Sequence, residues 1–321
     1  MNSFGTNLRV SIWGESHGKA VGVTIDGCPP GIAITDDCFN NDISRRKSGA
    51  KGTTPRIEAD KPVILSGVYN SYSTGAPITF MIENTNTRSE DYKDITYRPG
   101  HSDFVAEKKY RGYNDPRGGG HFSGRLTLGL VIAGVIAKKI INDITIEAEI
   151  KEIGGTTDFD SAISKAIENN NSIGGIVECR VQNIPIGLGE PFFNSVESVI
   201  SHAVFSIPAI KGIEFGSGFS SATMTGLQHN DLIIKKDGKT DTNNAGGING
   251  GITNGNEIVF RVAVKPTSSI SSEQKTFNKE SNKIESFRLI GRHDACIALR
   301  VPVVLEAVTA IALADLKLCL H

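Results

Sequence analysis

The chain has 321 residues, of which 39% are hydrophobic, and a formal net charge of −1. That is enough apolar material for a sizeable core, and the balanced charge leaves no bulk field to attract nucleic acid or an anionic membrane. Five scattered cysteines (28, 38, 179, 296 and 319) without a CxxC spacing argue against a disulfide frame or a zinc site and suit reduced thiols in a cytoplasm.

Residues 8–25 (LRVSIWGESHGKAVGVTI) alternate well enough for two strands around a GESHG turn. The N-terminal stretch lacks a basic segment followed by an apolar core, so no signal peptide is expected. Residues 35–46 read as a short helix with Thr35 or Asp36 as N-cap. A basic, glycine-bearing loop follows, RRKSGAKGTTPR. PVILSGV at 62–68 and APITFMIE at 76–83 read as strands. Residues 86–121 show little periodicity and many charges. A loop that long inside a compact chain is usually functional or disordered; its density of Arg, His and Asp favours function and makes it a candidate lid.

Residues 124–141 are apolar on every side, which predicts a helix inside the protein. Strands are expected at 143–150 and 174–183 with a helix at 160–169 between them. A helix at 194–206 is stopped by Pro208, and strand–turn–strand patterns fill 211–264. Residues 270–290 are polar and read as mobile. Residues 301–320 predict a second buried helix, with Pro302 in the first turn, where proline is tolerated. Of the two long apolar stretches the first is too short to span a bilayer and the second carries Glu306. No low-complexity tract divides the chain, so residues 1–321 are expected to form one domain. Mixed element order with hairpin signals, rather than a βαβα rhythm, predicts an α+β fold.

The chemistry gathers in loops that pair glycine with arginine and histidine. GESHG holds Ser16 and His17. RPGHSD holds Arg98, His101 and Asp103. RGGGHFSGR holds Arg117, His121, Ser123 and Arg125. GRHDACIALR holds Arg292, His293, Asp294 and Arg300, and the 45–56 loop adds Arg45, Arg46, Lys47 and Lys51. An arginine fork pairs with phosphate or carboxylate through two hydrogen bonds, so several arginine loops imply a ligand with several anionic groups. There are 35 glycines, where a chain of this length typically has roughly 22. The GGGHFS-to-helix junction offers bare backbone N–H groups ahead of a helix N-terminus. It is neither a Walker loop nor a dinucleotide fingerprint, lacking GK[ST] and the GxGxxG spacing.

A lone histidine is more often structural than catalytic, and His202, His229 and His321 sit in ordinary contexts. His17 and His101 each follow a glycine-containing turn, where an imidazole can move a proton in either direction. No metal-ligand spacing is present. KPTSSI at 265–270 is a solvated strand end or a phosphate clamp. The residues thus indicate a cytosolic enzyme with a polyanion pocket and one or two histidine proton donors. Phosphoryl transfer, phosphate elimination and carboxylate isomerisation all remain open.

The ordered set of motifs resembles the chorismate synthase family along essentially the whole chain. It comprises GESHG, SRRKSG…TTPR, ILSGV…TGAPI, RPGHSD, RGGG…S.R, PIGLGEPFF, SIPAIKGIEFGSGF, NNAGGINGGITNG, KPTSSI and GRHDACIALRVPVVLEA. The resemblance implies 1,4-anti elimination of phosphate from 5-enolpyruvylshikimate 3-phosphate, with reduced FMN as cofactor and NADPH as a candidate reductant. It implies a β-α-β sandwich with a helical core between sheets, assembled as a homotetramer.

By the same resemblance, Ser16, Arg46, Arg98, Ser123, Arg125 and Arg292 hold substrate charges. His121, Phe122, Ser123, Ala209, Gly250, Lys265, Pro266, Thr267, Ser268, Ser269 and Arg292 line the flavin. His17 corresponds to the acid at the departing phosphate, His101 to the residue that protonates or stabilises the reduced flavin, and Asp294 to the carboxylate that assists the flavin in taking up the substrate proton. Lys51 and Arg46 are candidate nucleotide contacts. The chain departs from the common RGGGRSSARET at His121, Phe122 and Leu126. These changes motivate an alternative, a flavin- or phosphometabolite-binding protein without turnover.

Overall fold

The computed structural model describes residues 1–56, 58–87, 96–289, 291 and 293–319. In chain order, a short edge strand β1 (Ser3–Phe4) precedes the hairpin of β2 (Arg9–Gly14) and β3 (Ala20–Asp26). The predicted 35–46 helix is a 3-10 turn, Asp36–Phe39, running into α1 (Asn40–Arg46); Thr35 occupies the N-cap without a side-chain bond. Strands β4 (Val63–Ser66) and β5 (Ile78–Glu83) complete an antiparallel sheet in the order β1-β2-β3-β5-β4. β5 alternates buried and less buried positions, with Ile78, Phe80 and Ile82 on the core side, as period-2 patterning requires.

Helix α2 (Asp103–Lys109) lies within the stretch expected to be a structureless loop. Helix α3 (Thr127–Ile140) follows the glycine loop, and β6 (Thr145–Ile153), α4 (Phe159–Glu168) and β7 (Gly175–Gln182) come next. Then come α5 (Val196–Val204), β8 (Ile210–Phe215) and β9 (Ile258–Val264). The second antiparallel sheet has the order β8-β9-β7-β6. The segment between β8 and β9 is mostly turns, with only a two-residue pair at 248–253, because its many Gly and Asn residues favour tight turns over continuous pairing. Residues expected to be mobile form a regular hairpin, β10 (Gln274–Asn278) and β11 (Lys283–Phe287), whose mostly polar sequence disguised its pairing. The last helix is α6 (Val301–Leu318).

α3 packs on the first sheet, α6 on the second, and the two helices pack on each other. The expected α+β sandwich with a helical core is therefore the observed architecture. The two helices cross closely at Gly134, where an added Cβ would stand 2.4 Å from the Ala307 Cβ. The stretches Arg117–Ile140 and Ile297–Leu318, which contain them, are long and apolar enough to cross a membrane by composition, although α3 itself has only 14 residues. Their burial between two sheets accounts for that composition, since a helix covered on all faces has no polar side to present.

One charged group is set into this core. Glu306 is 3% exposed and accepts two bonds from Arg45 on α1 (2.7 and 2.6 Å), one from Lys138 on α3 (3.1 Å) and one from the Ala148 amide of β6 (3.1 Å). Its removal leaves Arg45 and Lys138 to Asp42 alone (3.7 and 2.7 Å) and strips the Ala148 amide of its acceptor. Glu306→Ala is expected to lose about 1–3 kcal/mol, read as a lower denaturant midpoint at unchanged slope. A loss below about 1 kcal/mol, the scale of an exposed pair, would contradict the placement.

Candidate active site

A cavity of about 840 Å³ opens beside the first turn of α3, within the usual range of about 300–1,000 Å³ for ligand sites. Its walls come from the N-terminal segment, the GESHG turn, the 46–60 loop, RPGHSD, the glycine loop, the end of α5 and residues 208–209, 265–269 and 293–300. Segments distant in sequence converge because both core helices present their N-terminal ends there.

The glycine loop explains its own sequence. Gly118, Gly119 and Gly120 all have positive φ (60°, 81° and 52°), a conformation that side chains disfavour. An added Cβ at Gly118 would stand 2.5 Å from His17 Cδ2 and 2.6 Å from His17 Nε2; one at Gly119 would stand 3.7 Å from His101 Nε2. Bare backbone is thus laid against both imidazoles. The Gly120 carbonyl also accepts the Ser16 amide (3.1 Å), which fixes the GESHG turn. Gly118→Ala is expected to lower kcat by about 10²-fold through misplacement of His17, with FMN affinity retained. Steady-state kinetics beside a flavin titration will check this, and an unchanged kcat would contradict the contact.

His101 is held from behind. Its Nδ1 lies 2.6 Å from Asp103 Oδ1, and Asp103 also accepts from the Arg98 backbone amide (3.1 Å), Nε (2.7 Å) and Nη2 (2.7 Å). Burial acts to raise the Asp103 pKa, but the bonds from Arg98 and His101 outweigh it and hold the carboxyl well below the usual range. An ionised carboxylate can only accept, so Nδ1 carries the proton and Nε2 faces Gly119. Asp294 is placed by the Thr54 amide (2.9 Å) and by Arg300 Nη1 (3.5 Å).

The arginines are pinned by the protein itself. Arg98 Nη1 donates to Ser269 Oγ (2.9 Å), tying RPGHSD to KPTSSI. Lys265 Nζ and Ser268 Oγ add bonds to the Gly100 carbonyl (3.0 and 2.7 Å). Arg46 is buried and donates to Thr127 Oγ1 (3.0 Å) and the Gly124 and Arg125 carbonyls (2.9 and 3.2 Å). Burial, with Arg300 and Arg125 nearby, pushes its guanidinium down to about 9, although Asp60 acts the other way. Arg46 thus remains charged at neutral pH, and a bound anion would raise its pKa again. Arg125 donates to Asn84 Oδ1 (2.9 Å), the Glu83 carbonyl (3.3 Å) and Asp60.

Most of the expected site residues line this one cavity: Ser16, His17, Arg46, Arg98, His101, His121, Phe122, Ser123, Arg125, Ala209, the segment Lys265–Ser269 and Asp294. Gly250 does not; it sits in the 248–253 turn, outside the cavity of the single chain. Arg292 lies outside the described residues. The His121 ring nitrogens lie 2.9 Å from the Gly14 carbonyl and 3.0 Å from Asn2 Oδ1, so this side chain also braces the N-terminal segment. His202, expected to be structural, lines the cavity as well and packs edge-on against Phe4 at 5.2 Å.

Arg56, Glu58 and Asp60 were not anticipated as site residues. Arg56 Nη1 donates to Ser16 Oγ (3.0 Å), and its Nε and Nη2 donate to Glu58 Oε1 (3.0 and 2.7 Å). Burial acts to raise the Glu58 pKa, but bonds from Thr85 and Arg56 bring it down to about 2. Nothing in the sequence sets them apart: TPRIEAD reads as an ordinary charged segment, and Asp60 leaves the extended conformation (φ 54°) to reach its arginine partners.

The residues fit a flavin phosphate and ring. Thr267 Oγ1 is buried with no hydrogen-bond partner among the described residues, an unmet polar group that a ligand can satisfy. Ala209 holds φ 75°, a conformation rare outside glycine and common at functional sites.

Fold and cavity together define a class: an α+β sandwich enzyme with a cation-lined pocket for polyanionic ligands and two positioned imidazoles. The chain matches the family described as Chorismate synthase over residues 8–318. It is 63% identical to a chorismate synthase of Chitinophaga pinensis, over 99% of this chain and 97% of that one. It is 44% identical to one from Dehalococcoides mccartyi (99% and 96%) and 43% identical to one from Thermococcus gammatolerans (97% and 96%). A crystal structure of chorismate synthase matches with a TM-score of 0.74 at 27% identity, covering 98% of this chain and 92% of that one. The chain belongs to the chorismate synthase family.

Proposed function

We propose that the cavity is where 5-enolpyruvylshikimate 3-phosphate loses phosphate to give chorismate, with His17, His101 and Asp294 as the groups that handle protons. The activity is that of the family, a carbon–oxygen lyase dependent on reduced FMN. The observation that carries the site assignment is the glycine loop pressed against His17 and His101 within one arginine-lined cavity.

Reduced flavin supplies transient electron density to the reacting ring. His17 protonates the departing phosphate oxygen, beside the Ser16 hydroxyl and the Arg56 guanidinium, a hydrogen-bond donor and a positive charge where negative charge develops. His101, its Nδ1–H committed to Asp103, presents Nε2 to the cofactor side. Asp294, held in place by Thr54 and Arg300, assists the bound flavin in taking up the proton that leaves the substrate. The Lys265–Ser269 segment and Ala209 hold the flavin. Arg46, Arg98 and Arg125 take the substrate's carboxylate end.

The decisive assay follows phosphate release and chorismate absorbance anaerobically with reduced FMN. Turnover supports the reading; FMN binding by folded protein with no turnover favours the non-catalytic alternative. As for the reductant, Arg46 is buried in the cavity wall whereas Lys51 bonds Ser164 on α4 (2.7 Å). The two do not face one space, which favours reduced flavin supplied from outside over a built nucleotide site. Absence of anaerobic flavin reduction by NADPH and purified protein is the expected result. A cytoplasmic location is part of the same reading, and so is a single-domain subunit, which one continuous core supports. So is a homotetramer, supported by Phe192, Phe193, Phe219 and Leu227 at 83–94% exposure. Light scattering on the purified protein reads its mass.

A further inference from the structure

Asp60 is 5% exposed, lines the cavity and has φ 54°. A non-glycine residue in that region is held there by its surroundings, and such positions gather at functional sites. Its two oxygens reach two different arginines. Oδ1 pairs with Arg125 Nη1, and Oδ2 lies 3.6 Å from Arg46 Nη1.

The other cavity arginines each have a carboxylate of their own. Arg56 has Glu58, Arg98 has Asp103 and Arg300 has Asp294. Arg46 and Arg125 share one. This corner of the cavity therefore has two fixed positive charges against one fixed negative charge, an excess of one. At the Ser16 end Arg56 donates to Ser16 Oγ (3.0 Å) and its charge is matched by Glu58, so the extra positive charge a phosphate meets there is that of a protonated His17, which lines the same cavity.

We propose that Asp60 is a specificity-determining counter-ion: it limits the Arg46–Arg125 pair to a single monoanionic group, a carboxylate, and denies it the dianionic phosphate. This rests on the reading of the cavity as the substrate site. The substrate carries both kinds of anion, so a corner that prefers the carboxylate orients the molecule with its phosphate toward Ser16, His17 and Arg56. The same device keeps released inorganic phosphate from lodging between the two arginines.

The test is Asp60→Asn. Asparagine keeps the shape and tolerates positive φ, so the variant removes charge with little other change. Inorganic phosphate is titrated into wild-type and variant protein without flavin or substrate, by calorimetry. The variant is expected to bind phosphate about tenfold tighter or more, the scale a nearby unit charge carries in a partly buried site. Product inhibition by phosphate should deepen in parallel, while FMN affinity stays put. Asp60→Glu, which restores the charge, should bring phosphate affinity back toward wild type. Equal phosphate affinity in folded wild type and Asp60→Asn overturns the proposal. So does tighter binding that Asp60→Glu leaves in place. Failure of wild-type turnover would instead count against the site reading, which the calorimetry does not depend on.

Discussion

His17→Ala is expected to retain FMN affinity within about twofold and to lose turnover by about 10²–10⁴-fold, the contribution of a positioned general acid. Expulsion of phosphate from carbon leaves charge on the departing oxygen, and the cavity answers with an imidazole, a hydroxyl and a guanidinium. His17 is the member able to hand over a proton. Its ring is set by steric contact with Gly118, where an added methyl would have to stand 2.5 Å from Cδ2. Asp115, next in the same loop region, has its carboxyl held low first by Arg117 and, further down, by the field of His17. Truncation to alanine removes the acid and leaves Ser16, bonded through Arg56 and the Gly120 carbonyl, where it was. KM should therefore change less than kcat. A variant that turns over within about threefold of wild type would remove His17 from the chemistry altogether, since that is far below a general acid's range.

What the sequence made legible, and what it hid, divides along physical lines. The buried helices α3 and α6 were readable because a segment apolar on all sides has one comfortable place, inside. β2, β3 and β5 were readable from alternation. Helix α2 was not, because its seven residues, DFVAEKK, make only about two turns and hold their three apolar residues consecutively, too short a run to show a helical period. The β10–β11 hairpin was missed because its few apolar residues, Phe277 opposite Ile284 on one face and Phe287 on the other, are too sparse among polar ones to show an alternating pattern. At the site, His17, His101, Ser123, Arg125 and Asp294 were legible as motif members. Asp103 stood in the same motif as His101, yet its binding of both Arg98 and the imidazole is a matter of geometry. Arg56, Glu58 and Asp60 were hidden because they look like an ordinary charged strand. Only the fold brings Ser16, Thr85 and Arg125, distant in sequence, up to them.

Asp103→Asn is expected to be the most damaging conservative change in the chain. The side chain is nearly isosteric, so shape survives while charge is lost. Arg98, 5% exposed, would keep its guanidinium without a countercharge, and breaking a buried pair in that way costs about 3–5 kcal/mol. The amide would also let the His101 ring accept rather than donate at Nδ1, scrambling which nitrogen faces the cofactor. A drop in kcat of about 10²–10⁴-fold is expected from that alone. The pH dependence separates the electrostatic effect from packing. Asp103 has its folded-state pKa depressed, so its contribution to stability is fully present above the unfolded value of about 3.9 and is lost as pH falls through the folded value. The difference in unfolding free energy between wild type and Asp103→Asn should thus be greatest above about pH 4 and shrink with further acidification, while the variant lacks that component throughout. A difference that stays constant from neutral pH down to about pH 2, below the ordinary carboxylate range, would mean that Asp103 stabilises the fold by shape, and the carboxylate behind His101 would lose its electrostatic role.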